Sequence, residues 1–264
     1  MGFFSRWKKI HKTVSDAGDS VDVSEQDGVR SLHLGNDTVQ SAMRLARPND
    51  LELAYTRCMM SFLLFHPQPE QVLMIGLGGG SLAKFVYHYL PQARTTVVEI
   101  NPRVAAVARS HFFLPPEDER FHLVLGDGAE YVAACSDAPD VLMVDGFDTN
   151  CQVEELATQG FYDNCRALLA DDGVLVVNLW GSDRNFDIYL RRIETAFDGL
   201  TLCMHAERRG NIIVLGFKKS PGTPRWSDLR ERARELEASY GLEFLRFVDA
   251  LKEMNLHTEK KLVL

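Results

Sequence analysis

The sequence predicts an α/β fold, a parallel sheet with helices on both faces that ends in an antiparallel hairpin. Three observations support this. From Val72 onward, apolar runs of strand length alternate with helical stretches. The strand cores are near-continuous Val, Leu, Ile and Met, as strands covered on both faces require. A glycine-rich turn, GLGGGS at 76–81, joins the first of these runs to the first helix.

The opening MGFFSRWKKIHKT lacks the apolar core and small-residue cleavage site of a signal peptide, so residues 1–20 read as a flexible tail. Residues 21–66 read as a small β-hairpin domain with a linking helix. In GVRSLHLGNDTVQSAMRLA, apolar and polar residues alternate around GND. The following RPNDLELAYTRCMMSFLLF reads as a helix that Asn49 or Asp50 can cap and HPQP stops.

Residues 67–220 carry the alternation itself. The strands are QVLMIG, RTTVVEI, FHLVLGD, DVLMVDG and GVLVVNLW, with helices expected from Ser81, Pro102, Ala129 and Thr158. LTLCMHAERRGNIIVLGFKK then reads as two strands around a short RRGN turn. Residues 221–264 read as two amphipathic helices broken at Gly241, a packing or oligomerisation appendage. A parallel sheet finished by a hairpin resembles the Rossmann-like class I methyltransferase architecture.

Composition narrows the function classes. With 37 acidic against 29 basic residues the formal charge is -8, which argues against nucleic acid and mildly favours cationic small ligands. No apolar run is long enough to cross a bilayer, and a soluble, cytoplasmic protein is expected. The five cysteines show no C-x-x-C spacing, so neither a disulfide framework nor a zinc site is indicated.

Candidate site residues fall at the carboxyl ends of the predicted strands. Gly76, Gly78 and Gly80 follow a strand and open a helix, where the backbone turns tightly and a nucleotide approaches without meeting a Cβ. Close strand-helix packing is the other use of such a turn. Glu99 lies 19 residues past Gly80, where an acid commonly holds the two hydroxyls of a ribose. Asp127, in GDG, is suited to accept from an adenine amino group, and the three sites together make a nucleoside pocket. Asp145 and Asp148 stand three apart on the loop beside it, one as base and the other as cation anchor, or as a cap of the next turn.

The set GLGGGS, VVEINP, GDG, DGFD and FYDNCRALLADDGVLVVN resembles the polyamine aminopropyltransferases, the spermidine synthase family, from roughly Gly28 to Lys219. The resemblance implies that Gln40, Glu99, Asp127 and Gly128 hold decarboxylated S-adenosylmethionine as co-substrate, without a prosthetic group. It implies Asp145 as catalytic base, Asp148 as amine ligand, and Tyr55 as the tyrosine that orients the amine or its base. The expected partners are therefore a small-molecule amine and an adenosyl nucleoside, with no nucleic acid and no membrane; a homo-oligomer, a dimer, is also expected. The chemistry calls for no metal, since a sulfonium is already a good leaving group.

The amine half departs from the family. The family's glycine loop carries an aspartate where Gly79 stands, and acidic or aromatic-imidazole positions fall on Thr56, Arg57 and Ser61. The proline and Gly-Pro that follow the family's second aspartate are replaced by Thr149, Cys151 and Gln152. Glu154 and Glu155 are candidates to restore charge, and Arg57 would repel a diamine if it faced the pocket. Three alternatives stay open. One is an S-adenosylmethionine-dependent methyltransferase, disfavoured by Met74 where such enzymes generally carry an acid. A second is a non-catalytic nucleoside-binding homologue. An NAD dehydrogenase comes last, because Ser81 misses the third glycine of that fingerprint.

Overall fold

The computed structural model describes residues 8–12, 20–146, 153–207 and 210–264. The N-terminal part is an antiparallel sheet of β1 (Lys8–Lys12), β2 (Val21–Gln26), β3 (Val29–Leu34) and β4 (Ser41–Arg44), in that order. The turn between β2 and β3 is Asp27-Gly28, both at positive φ (52° and 73°), the pair that a two-residue hairpin favours. Gly35-Asn36-Asp37 lies between β3 and β4, as expected. Residues 8–12, read from sequence as part of a flexible tail, instead pair with β2, Lys8 opposite Glu25 and Lys12 opposite Asp22. The unpaired edge of β2 offers backbone donors and acceptors that another strand satisfies.

The linking helix α1 (Ala54–Met59), continued by a 3-10 segment to Leu64, begins later than expected. Leu53 is its N-cap residue, with no capping side chain. Asp50 is engaged elsewhere, accepting from the Tyr89 hydroxyl at 2.8 Å.

The main unit then runs β5 (Gln71–Ile75), α2 (Ser81–Tyr89), β6 (Arg94–Glu99), α3 (Pro102–His111), β7 (Phe121–Leu125), α4 (Gly128–Ala134), β8 (Val141–Val144), α5 (Gln159–Leu168), β9 (Val174–Trp180), α6 (Phe186–Ala196), β10 (Thr201–His205) and β11 (Asn211–Phe217). Its sheet order is β10-β11-β9-β8-β5-β6-β7, parallel from β9 to β7 and antiparallel at β10 and β11. The helix starts follow their local signals: α2 begins at Ser81, α3 at Pro102, and Thr158 caps α5 by accepting from Phe161 N at 3.1 Å. Helix α6 was not anticipated from the sequence; its buried face comes down to Tyr189, Ile193 and Ala196.

Alternate strand residues point to opposite faces, and two cores result. Val72, Met74, Val97, Met143 and Val176 pack with the small sheet's Val23, Leu32 and Met43. Leu73, Ile75, Val98, Leu142 and Val177 pack with Phe161 and Cys165 of α5 and Ile193 of α6. The C-terminal helices α7 (Trp226–Tyr240) and α8 (Phe244–Met254) are separated by Gly241 at φ 68°. They insert Leu229, Leu236, Phe244 and Leu251 into the first core, so their apolar faces are used within the chain. Among the described residues no helix is long and apolar enough to cross a membrane.

From β5 the chain builds outward through β6 and β7, then crosses back to place β8 on the other side of β5. The carboxyl ends of β5 and β8 therefore bound the crevice in which open α/β sheets take ligands.

Candidate active site

A cavity of about 760 Å³ opens at that crevice, between the carboxyl rim of the large sheet and the end of the small one. Gln40, Tyr55, Gly76 and Gly78 line it, and so do Glu99, Asp127, Gly128 and Asp145. The topology thus gathers residues more than a hundred positions apart in sequence. Asp148 lies outside the described residues, as do Thr149, Cys151 and Gln152.

Gly76 is required by the crevice itself. Its φ is +96°, and a Cβ there would lie 2.4 Å from the Asp145 carbonyl oxygen. Gly79 is different, because its constraint is packing: a Cβ would lie 2.7 Å from Ser41 Oγ and 2.9 Å from Phe112 Cδ1. The place where the resembling family carries an aspartate is therefore closed by β4 and the end of α3, and a longer side chain there must displace them.

On the β5-β6-β7 side, the carboxylates are held by backbone. Glu99 accepts from Leu77 N at 2.9 Å through Oε2 and from Asn101 N at 2.8 Å through Oε1. Burial pushes its carboxyl up, and those N–H groups oppose the shift. Asp127 caps α4, its Oδ1 accepting from Ala129 N (2.7 Å) and Glu130 N (3.0 Å). Both bonds use Oδ1, which leaves Oδ2 for a ligand.

On the β8-β9-β11 side the support comes from side chains. The Tyr55 hydroxyl stands 3.1 Å from Asp145 Oδ2 and 3.3 Å from the Gln40 carbonyl; having one proton, it donates to the nearer, charged acceptor. Asn178 Nδ2 donates to Asp145 Oδ1 at 2.8 Å, and Asn211 Nδ2 donates to Asn178 Oδ1 at 2.9 Å. Desolvation raises the Asp145 carboxyl, with Asn178 and then Tyr55 pulling it back. Burial, followed by the adjacent Asp145, raises the Tyr55 hydroxyl well above its ordinary range.

Several expectations for the amine half change. Arg57 does not line the cavity: it pairs with Glu243 at 2.9 Å and donates to the Glu52 carbonyl at 2.7 Å, tying α1 to the start of α8. Thr56 lines the cavity, whereas Ser61 is buried away from it. Of the two glutamates after the aspartate loop, Glu155 lines the cavity and Glu154 does not.

The sequence reasoning missed Ser41, Asn178, Trp180, Glu207 and Asn211, all of which line the cavity. Asn178 had a signal, being the one polar residue in the strand VLVVNLW. Asn211 had none, since an asparagine after a glycine reads as turn chemistry.

Residues 52–182 match the spermine/spermidine synthase domain. The chain is 43% identical over 249 residues to a polyamine aminopropyltransferase of Chromobacterium violaceum, covering 94% of this chain and 95% of that protein. A spermidine synthase structure from Thermotoga maritima superposes with a TM-score of 0.70 at 23% identity, over 92% of this chain and 84% of that one, a likeness of fold. The structure of human methyltransferase-like protein 13 in complex with SAH gives a TM-score of 0.60 at 26% identity, over 71% of this chain and 89% of that one. The chain belongs to the spermidine synthase family, the polyamine aminopropyltransferases, and is a transferase.

Proposed function

We propose that the chain transfers the aminopropyl group of decarboxylated S-adenosylmethionine to an amine, releasing methylthioadenosine, with putrescine as the leading acceptor and spermidine as its product. The observation that carries this reading is Asp145, a desolvated carboxylate with two donors, in the crevice between the two halves of the rim. The polyamine aminopropyltransferase relative, similar over nearly its whole length, supports it.

An alkylammonium has a pKa of about 10 and is not nucleophilic until it loses a proton. Asp145 takes that proton while the nitrogen lone pair forms a bond to the carbon beside the sulfonium. The carbon–sulfur bond breaks, its electron pair stays on sulfur, and a neutral thioether departs. Glu99 addresses the ribose hydroxyls and Asp127 the adenine amino group. Gln40 reaches the nucleoside from the small sheet, while the backbone of Gly76, Gly78 and Gly128 lines its cavity. Tyr55 orients the base, and Asp148 serves as the amine's anchor. Glu155 and Glu207, which share the cavity, offset the desolvation of a cationic acceptor. Putrescine should bind weakly, because Gly79, Arg57 and Ser61 stand where the family keeps acidic or imidazole groups.

A second reading, methyl transfer from S-adenosylmethionine, draws on the likeness to the SAH-bound methyltransferase-like protein. Against it stands Met74, buried in the first core two residues before Gly76. Incubating the protein with each donor and a panel of amines, and identifying products by mass spectrometry, separates the two. Methylthioadenosine and an aminopropylated amine are expected from the decarboxylated donor. S-adenosylhomocysteine formed from S-adenosylmethionine, with no aminopropyl product, would overturn the proposal.

A further inference from the structure

We propose that Asn178 and Asn211 are positioning residues for Asp145: the Asn178 amide holds one carboxylate oxygen, and Asn211 on the adjacent strand fixes which way that amide faces. The proposal deepens the aminopropyl-transfer reading and rests on it for its kinetic test.

The strand register brings the three together. Val144 pairs with Val177 in the parallel ladder, so Asp145 and Asn178 are the next residues along neighbouring strands. In the antiparallel ladder Asn211 lies opposite Trp180, which makes it the diagonal neighbour of Asn178 on the same face. Asn178 is only 1% exposed, in a strand otherwise apolar, and an amide so buried must have its hydrogen bonds met inside the protein. Both are met: Nδ2 to Asp145 Oδ1 at 2.8 Å, and Oδ1 from Asn211 Nδ2 at 2.9 Å. Turning the Asn178 amide over would set its carbonyl oxygen against the carboxylate and its NH2 against the NH2 of Asn211, losing both bonds. The carboxylate can only accept, and Asn211, by donating to Asn178 Oδ1, adds a bond that favours the same orientation, with the Asn178 NH2 toward Asp145.

The consequence is chemical. Desolvation favours the neutral carboxylic acid, which cannot accept the acceptor's proton; a fixed N–H on Oδ1 favours the carboxylate. With Oδ1 bonded to Asn178 and Oδ2 to Tyr55, the carboxylate is held in one orientation at the cavity wall. The other titratable groups sharing that cavity are Tyr55 of α1, Glu99 of β6, Asp127 before α4, Glu155 of the 3-10 segment after β8, and Glu207 after β10. Among the described residues all are acids, and none of them supplies a cation that would replace the amide.

The test is the pH profile of kcat/KM for aminopropyl transfer in Asn178→Ala, Asn178→Asp and Asn211→Ala. Asn178→Ala should lower kcat/KM about 10- to 100-fold at neutral pH, and Asn211→Ala about three- to tenfold. In Asn178→Ala the acidic limb should move up by about one pH unit, with part of the activity recovered at alkaline pH. Asn178→Asp keeps the shape, removes the donor and adds a like charge, so its limb should move further. Methylthioadenosine affinity should stay within about threefold in all three, a readout that a fold defect would move. An unmoved limb in both Asn178 variants, whatever the loss of rate, would overturn the proposal. If the wild-type protein transfers no aminopropyl group, the parent reading fails, and the inference is read by carbon-13 titration of the aspartate carboxyls. The resonance lost in Asp145→Asn should then titrate higher in Asn178→Ala, and an unchanged titration would reject the positioning role.

Discussion

Glu99 and Asp145 occupy the same rim of one sheet, and burial raises the carboxyl of each, yet they are held by different means. Glu99 accepts from the backbone of Leu77 and Asn101, in the loops directly after its own strand and the neighbouring one. Asp145 is bonded by the side chains of Tyr55 and Asn178, on elements 90 residues before it and 33 after it. The nucleoside side is thus built from local strand-turn-helix geometry. The proposed base is built from tertiary contacts, in which each member depends on the next. Binding and rate should therefore separate under mutation.

The largest expected effect is on rate. Asp145→Asn removes the proposed proton acceptor and should lower kcat about 10²–10⁴-fold, the usual worth of general-base catalysis, with methylthioadenosine affinity within a few fold. Single-turnover kinetics and calorimetry check the two halves. A loss of nucleoside affinity as large as the loss of rate would break the comparison.

Next comes Glu99→Ala, which should weaken methylthioadenosine by about 1 to 3 kcal/mol, the cost of losing a charged hydrogen-bond partner. It also leaves the Leu77 and Asn101 N–H groups without their acceptor, so Tm should fall together with affinity. That joint loss is the mark of a backbone-held group, and calorimetry with thermal melts reads both. An intact Tm would show that water replaces the carboxylate without cost.

Tyr55→Phe sharpens the base side. Its O–H is the weaker of the two donors that favour the Asp145 carboxylate, after the amide N–H of Asn178, so its loss lets the carboxyl rise further. In the proposed role as general base, the ionised form of Asp145 is the active one. Activity therefore disappears as pH falls through the Asp145 pKa, and the acidic limb of kcat/KM should move to higher pH in the variant. The loss at neutral pH should be about tenfold or less, one hydrogen bond to a charged group. A limb that moves to lower pH would reverse the assignment of donor and acceptor.

What was legible in the sequence follows the same division. The glycine turn, Glu99, Asp127 with its capped helix, and the strand-helix alternation announce themselves within windows of a few residues. Asp145 was readable as a strand-end acid, but its partners were not: Asn178 and Asn211 meet only because β9 and β11 pair in a particular register. The strand at 8–12 escaped for a related reason. Its pairing is dictated by the open edge of β2 and by no strong pattern of its own. Helix α1 begins at Ala54, later than its capping signals suggest, because Asp50 is committed to Tyr89. Local motifs are visible where the physics is local; registers, edges and cross-chain bonds require the fold.

Arg57 carries the smallest effect and tests where the amine half ends. From its position in the sequence it was a candidate to repel a cationic acceptor, but the guanidinium is turned to Glu243 and to two carbonyls of the 51–52 segment. Its ion pair is partly open, the side chains 25% and 30% exposed, which puts it close to the surface pairs that contribute about 1 kcal/mol or less. Arg57→Ala should therefore lower stability slightly, by loosening the contact between α1 and the start of α8, without altering the KM for any amine. Substituting Glu243 by Gln should have the same small effect, and the double variant should cost less than the sum of the two. If Arg57→Ala instead lowers the KM for a diamine, the arginine acts on the cavity at a distance. The boundary drawn between the packing of the C-terminal helices and the acceptor site would then be in the wrong place.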